Sequence, residues 1–264
     1  MTPYSVTRQQ MIDALREGLE KEEWVLAAWL GGSDATGRTD ELSDIDIQMV
    51  VPDERVQDTF ELSHRILEAL APIELRHRFP EPTWHGHSQE LLRLRDADPN
   101  HFIDLVVMRR SNPARLLGRE RHGTPLELFD REGLLVPTPL DWAAHRKKME
   151  QRLAELRVRF PLLQPLVTRG VHRGQVVESA QAYQMLTLRP LIELLRMRHC
   201  PERFDFGPRY LDRDLPPEWQ KALERLAYPR SPEELLKLHA AAVAHFERQI
   251  EELNSGVWEL PPRG

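Results

Sequence analysis

One segment of the sequence is dense in residues that could do chemistry: LGGSDATGRTDELSDIDIQMVV, residues 30–51. Asp44-Ile45-Asp46 opens an apolar run within it. Alternate residues of a strand share a face, so Asp44 and Asp46 project to the same side. Two carboxylates held that way suit a hard divalent cation that retains waters and bridges to phosphate oxygens, which is the habit of magnesium. Upstream, Gly31 and Gly32 permit close backbone approach, so amide N–H groups and the Ser33 hydroxyl can meet a polyphosphate. A third carboxylate, Asp104 in FIDLVVM, sits centrally in an otherwise apolar run. An acid there is costly unless a cation or hydrogen bonds satisfy it. Each feature alone is ordinary, Gly-Gly-Ser as a turn and Asp-x-Asp as a solvated strand start. Their conjunction in this order sets the segment apart.

The surrounding pattern supplies elements to position these groups. Residues 7–21 place Met11, Ile12, Leu15 and Leu19 on one helical face, and 54–70 repeats that spacing with Phe60, Leu62, Ile66, Leu67 and Leu70. Strands are expected at 24–30, ending at Gly31-Gly32, and at 45–51, 73–79, 90–95 and 102–108. After residue 136 the run VPTPLD reads as a linker, and only helical patterns follow, at 140–158, 173–198, 216–227 and 232–253. Pro190 lies inside the 173–198 pattern and predicts a kink or break. The fold class expected is α+β: a mixed sheet with helices over 1–137, then an all-helical bundle over 138–264.

Composition bounds the function classes. The chain has 264 residues, 41% hydrophobic and 30% charged, enough apolar residues to build a sizeable core and exclude wholesale disorder. A single cysteine, Cys200, excludes an internal disulfide and a cysteine-rich zinc site. No run approaches the ~20 apolar residues of a membrane span, and the N-terminal residues lack the pattern of a signal peptide. A cytoplasmic protein with no membrane partner is expected. The formal charge of -6, from 36 Lys+Arg against 42 Asp+Glu, argues against a nucleic-acid partner, because neutralising phosphates supplies most of that affinity.

Gly32-Ser33, a ten-residue spacer and Asp44-Ile45-Asp46 resemble the signature of the nucleotidyltransferase superfamily typified by DNA polymerase beta. The resemblance implies a nucleotidyltransferase fold for the first domain. It also implies Asp44 and Asp46 as metal ligands, Gly32 and Ser33 as phosphate contacts, and Asp104 as the third acid, serving a second metal or acting as base. NHFIDLVVM (100–108), LELFDREGLL (126–135) with PTPLDW (137–142), LRPLIELLRMRH (188–199) and FGPRYLDRDLPPEW (206–219) are similar to aminoglycoside nucleotidyltransferases of the streptomycin adenylyltransferase type. That similarity implies an antibiotic-resistance enzyme with ATP as co-substrate, Mg2+ as cofactor and a helical acceptor-binding domain. The chain departs from the family at 153–175, LAELRVRFPLLQPLVTRGVHRGQ, which is basic where an acidic, aromatic-rich helix is expected.

The expected reaction moves AMP from ATP to a hydroxyl of a small acceptor and releases pyrophosphate, in a monomer or homodimer. Alternatives are a protein- or tRNA-modifying nucleotidyltransferase and a non-catalytic nucleotide-binding regulator of antitoxin type. Glu178 is a candidate base or acceptor ligand beside its reading as an exposed helix acid. Arg209 and Tyr210 are candidate triphosphate or base contacts. Tyr183 and Arg189 read as packing and surface residues, His85 and His87 as surface histidines, and Cys200 as a thiol near a helix end.

Overall fold

The computed structural model describes residues 4–262, so residues 1–3 of the first expected domain and 263–264 of the second lie outside them. The chain divides into two compact units, Met1–Pro139 and Leu140–Gly264.

The first unit is built on a six-stranded mixed sheet. Its elements in chain order are α1 (Arg8–Glu20), β1 (Ala27–Leu30), α2 (Gly32–Thr36), β2 (Ile45–Val51), α3 (Val56–Glu68), β3 (Ile73–Arg78), β4 (Ser88–Leu94), β5 (Ile103–Arg109), α4 (Arg119–His122) and β6 (Leu126–Asp130). Strand order is β3-β4-β5-β2-β1-β6. β2 and β5 pair in parallel at the centre, and the other neighbours are antiparallel. α1 forms because its apolar residues recur at helical spacing and because a Thr7–Gln10 capping box closes its N-terminus. Met11, Ile12, Leu15 and Leu19 meet Phe60 and Leu67 of α3 and Ile45, Ile47, Met49, Ile103, Leu105 and Val107 of the central strands in one core.

That core commits one face of the sheet, and the pleat sends the intervening residues to the other face. There Ala27, Trp29, Val50, Val106 and Met108 gather with Leu117 in a smaller apolar cluster. The same face carries Asp46, Gln48 and Asp104, which are only part-buried.

The second unit is helical: α5 (Trp142–Leu163), α6 (Pro165–His172), α7 (Val176–Ala182), a π-helical stretch Tyr183–Leu188, α8 (Arg189–His199), α9 (Leu211–Asp214), α10 (Pro217–Ala227) and α11 (Pro232–Asn254). Its own core holds Met149, Leu156, Phe160, Leu191, Leu194, Leu195 and Phe246. At Pro190, where a kink or break is expected, the helical path runs on from Val176 to His199 but turns π-helical over Tyr183–Leu188. Proline removes the hydrogen bond to the carbonyl four residues back. That carbonyl, Leu186 O, instead accepts from Gln164 Nε2 at 3.0 Å, and the π turn absorbs the misfit. Gln164 Oε1 accepts from the Thr187 hydroxyl at 2.7 Å and lies 3.0 Å from His239 Nε2.

A charged knot closes this unit. The Arg196 and Asp214 side chains are fully buried and pair at 2.8 Å. Arg196 also donates to the carbonyls of Gly207 and Arg209, and Asp214 accepts from Arg203 and Arg213. These hydrogen bonds hold the Asp214 carboxyl well below the usual range although burial opposes them. Removing one partner of such a pair strands the other charge in the interior. Asp214→Ala is therefore expected to destabilise the chain by about 3–5 kcal/mol, read as a lower urea midpoint.

Candidate active site

β2 begins where the site begins. Ile45, Ile47 and Met49 point into the core, so Asp46 and Gln48 must point away from it. The parallel register sets Asp46 opposite Asp104 of β5, which places both carboxylates on that outward face. Asp44 immediately precedes the strand, and its charge acts on both Asp46 and Asp104. The structure therefore brings together Asp44, Asp46 and Asp104.

Gly32 and Ser33 join them because β1 turns directly into α2. Gly31 N–H donates to Asp46 carbonyl O at 2.8 Å, fixing the turn against β2. Gly32 has φ of 50°, and a Cβ added there would fall 1.7 Å from Asp46 Oδ2. Only glycine lets the backbone lie against that carboxylate. At Gly31 a Cβ would meet Gln48 Nε2 at 2.4 Å. The Ser33 Oγ and Gln48 Oε1 atoms are buried without a hydrogen-bond partner. Such orphaned polar atoms are costly, and here they lie on the cradle that faces the acids.

Burial is the main cause that pushes the Asp46 carboxyl up to about 7, and the charges of Asp44, Asp104 and Asp34 add to it against Arg8. Burial also raises Asp44 and Asp104. For Asp44 its own backbone N–H and Arg8 oppose the rise; for Asp104 the Gln89 amide does. Arg8 is directed elsewhere. It pairs with Asp34 of α2 and donates to Asp44 carbonyl O at 2.9 and 3.0 Å. It thus staples α1 to the loops around the acids and offsets only part of the charge on Asp44 and Asp46.

A hard divalent cation fits this donor set: oxygen ligands, unbalanced negative charge, an unsatisfied hydroxyl and a glycine backbone at contact distance. Among the described residues no three His, Cys, Asp or Glu side chains are gathered into a ready-made metal cage. Asp44 and Asp46 would hold such an ion. Asp104 is engaged separately, with both oxygens accepting from Gln89 Nε2 at 2.8 and 2.9 Å.

The other expected residues lie in the second unit and on different elements. Glu178 is exposed in the first turn of α7. Arg209 and Tyr210 belong to the loop around Arg196, where Arg209 covers Phe206 and Arg213 covers the Tyr210 ring at 4.5 Å. Tyr183 is buried, with its hydroxyl donating to Leu226 O at 2.8 Å, and Arg189 pairs with Glu193 at 3.6 Å. Cys200 caps the end of α8 and its thiol is pushed up to about 11 by burial. His87 is corrected from a surface residue to a buried one, 2% exposed, and burial lowers it to about 4.

Sequence reasoning missed three residues of the site. Gln89 lies just before the strand expected at 90–95, whereas β4 starts at Ser88. Its alternation with Leu91 on the sheet face was the signal available. His85 reads as a loop residue, yet its ring meets Gln89. Arg8 reaches the site from 36 residues away, with no local signal.

The mixed sheet sets Asp46 and Asp104 side by side with Asp44 next to them, an arrangement that suits a divalent cation and a phosphate-bearing substrate. More particularly, residues 12–84 match the family model described as Nucleotidyltransferase domain, so the first unit holds such a domain and the enzyme is a nucleotidyltransferase. The match spans Gly32, Ser33, Asp44 and Asp46 and stops before Gln89 and Asp104. No curated protein sequence matches the chain. Among solved structures it is similar to an aminoglycoside 6-adenyltransferase from Bacillus subtilis, with 14% identity, a TM-score of 0.39 and coverage of 97% of this chain and 93% of that one.

The clustered acids have a measurable cost in the free protein. With a raised native pKa, Asp46 holds a proton between pH 7 and about 4 that the unfolded chain does not. Stability of the metal-free protein should therefore rise as pH falls through 7. Asp46→Asn should lose that dependence and melt higher at pH 8, by on the order of 2 kcal/mol, measured by thermal denaturation in chelator.

Proposed function

We propose that this enzyme transfers AMP from ATP to a hydroxyl of a small acceptor of the aminoglycoside type, with release of pyrophosphate. The observation that carries the reading is the Gly32 backbone lying against Asp46, with the unpartnered Ser33 hydroxyl near it, Asp104 beside Asp46 on one sheet face and Asp44 just before the strand.

A magnesium ion held by Asp44 and Asp46 would neutralise the triphosphate and polarise the transferred phosphorus. Ser33 donates its free hydroxyl proton to a phosphate oxygen, and the absence of a side chain at Gly32 lets the triphosphate approach the backbone. Asp104 accepts the proton of the acceptor hydroxyl as its oxygen bonds to the α-phosphorus and the bond to pyrophosphate breaks. The acid needs an appreciable proton affinity for that step, and burial beside Asp44 supplies it. Positioning of the two substrates contributes much of the remainder. This reading keeps Glu178, Arg209 and Tyr210 as candidate ligands on the helical unit. It is supported by the nucleotidyltransferase domain at 12–84 and by the sequence resemblance of the later segments.

Calorimetric titration with ATP should show binding that requires magnesium and that Asp44→Asn with Asp46→Asn abolishes. Equal MgATP binding by the double variant would refute the metal assignment. Gly32→Ala, whose methyl group displaces the Asp46 carboxylate, should weaken MgATP binding by ~10-fold or more. Pyrophosphate release in the presence of a panel of aminoglycosides tests the acceptor. Label passing from α-labelled ATP to protein or tRNA instead would reassign it.

A further inference from the structure

We infer that Gln89 and His85 are positioning residues for Asp104, joined to it by a hydrogen-bond chain whose direction is fixed from the backbone outward. The inference rests on the nucleotidyl-transfer reading for the use to which Asp104 is put, and on geometry alone for the chain.

The direction follows from one group that can only donate. His87 backbone N–H donates to His85 Nδ1 at 3.1 Å. Nδ1 is therefore the acceptor nitrogen, and the neutral ring carries its proton on Nε2. The Thr83 hydroxyl, also 3.1 Å from Nδ1, gives its proton to His87 carbonyl O and so does not compete for that assignment. His85 Nε2 faces Gln89 Oε1 at 3.2 Å, so the imidazole donates and the amide oxygen accepts. The amide nitrogen must then face the other way, where it meets both Asp104 oxygens at 2.8 and 2.9 Å. Gln89 reaches them diagonally, since its direct partner on β5 is Val106.

The chain is braced on the ring side. His85 stacks on buried His87 with centroids 5.2 Å apart, and Trp84 meets its other neighbourhood edge-on at 4.9 Å. Every link is a neutral donor. A lysine or arginine at position 89 would also orient the carboxylate, but it would cancel the charge that draws a proton or cation. An amide fixes the plane of Asp104 and leaves its charge in place. Each oxygen also keeps a further lone pair for substrate.

The test uses the full chain with Gln89→Leu, His85→Phe and His85→Gln; the last restores an N–H near the position of the imidazole Nε2. One readout needs no nucleotide: hydrogen exchange of the Gln89 side-chain amide by NMR. Protection is expected in the wild type and His85→Gln, and its loss in His85→Phe. The second readout separates binding from turnover. Gln89→Leu and His85→Phe should keep the MgATP Kd within about 3-fold while kcat falls by ~10-fold or more, with His85→Gln recovering most of it. Thermal melting confirms that each variant folds; His85→Asn, too short to reach Gln89, substitutes should His85→Phe fail to fold. An unprotected Gln89 amide in the wild type overturns the inference, and so does an unchanged kcat in both chain-breaking variants. A wild-type chain that binds no MgATP would instead defeat the nucleotidyl-transfer reading, and amide exchange would still decide the chain.

Discussion

Holding like charges together inside a protein is the constraint from which the first unit takes its form. Burial raises the proton affinity of Asp44, Asp46 and Asp104, and the charge of Asp44 adds to the rise at the other two. Nothing in the acids themselves favours the gathering. It is imposed by the opposite face of the sheet, where Ile45, Ile47, Met49, Ile103, Leu105 and Val107 are buried against α1 and α3. A slip of one residue in either strand would carry that whole set to the other face. Hydrophobic burial thus fixes the register, and the register fixes the acids. The glycines follow from the same demand, since the turn from β1 to α2 must pass the Asp46 carboxylate at contact distance.

The second unit handles buried charge in the opposite way. Asp214 is surrounded by Arg196, Arg203 and Arg213, and its carboxylate is fully satisfied. Such a group contributes architecture and has little capacity left for a ligand. The acids of the first unit have one orienting amide and one arginine that is turned mainly to backbone and offsets only part of their charge. The contrast separates charge that has been used up in folding from charge held in reserve for a substrate.

Legibility in the sequence followed the range of the interaction. The run 45–51 and the helical patterns of α1, α10 and α11 were readable because periodicity is local. Gly32, Ser33, Asp44 and Asp46 stood out because their spacing lies within the one short segment from β1 through α2 to β2, and Asp104 because an acid interrupts an apolar run. α2 and β6, at five residues each, are too short for periodicity to register. Gln89, His85 and Arg8 act through partners 15, 4 and 36 residues away, and only the sheet register or the docking of α1 makes those pairs neighbours. At Pro190 the local rule predicts a kink or break, but nothing local points to the glutamine 22 residues before Leu186 that supplies the missing donor.

The parallel pairing of β2 with β5 also sets the order in which this protein becomes competent. β2 ends at Val51 and β5 starts at Ile103, with α3 and the β3–β4 hairpin between them. Closing so long a loop costs entropy that is recovered only when the distant strand docks. A nascent chain that has emerged through the Gly-Ser and Asp-x-Asp segment carries two of its acids and none of the strand that confronts them. Asp104 can face Asp46 only when β5 is docked beside β2, so the site is complete only in a chain whose apolar face is already paired to restrain the repelling charges.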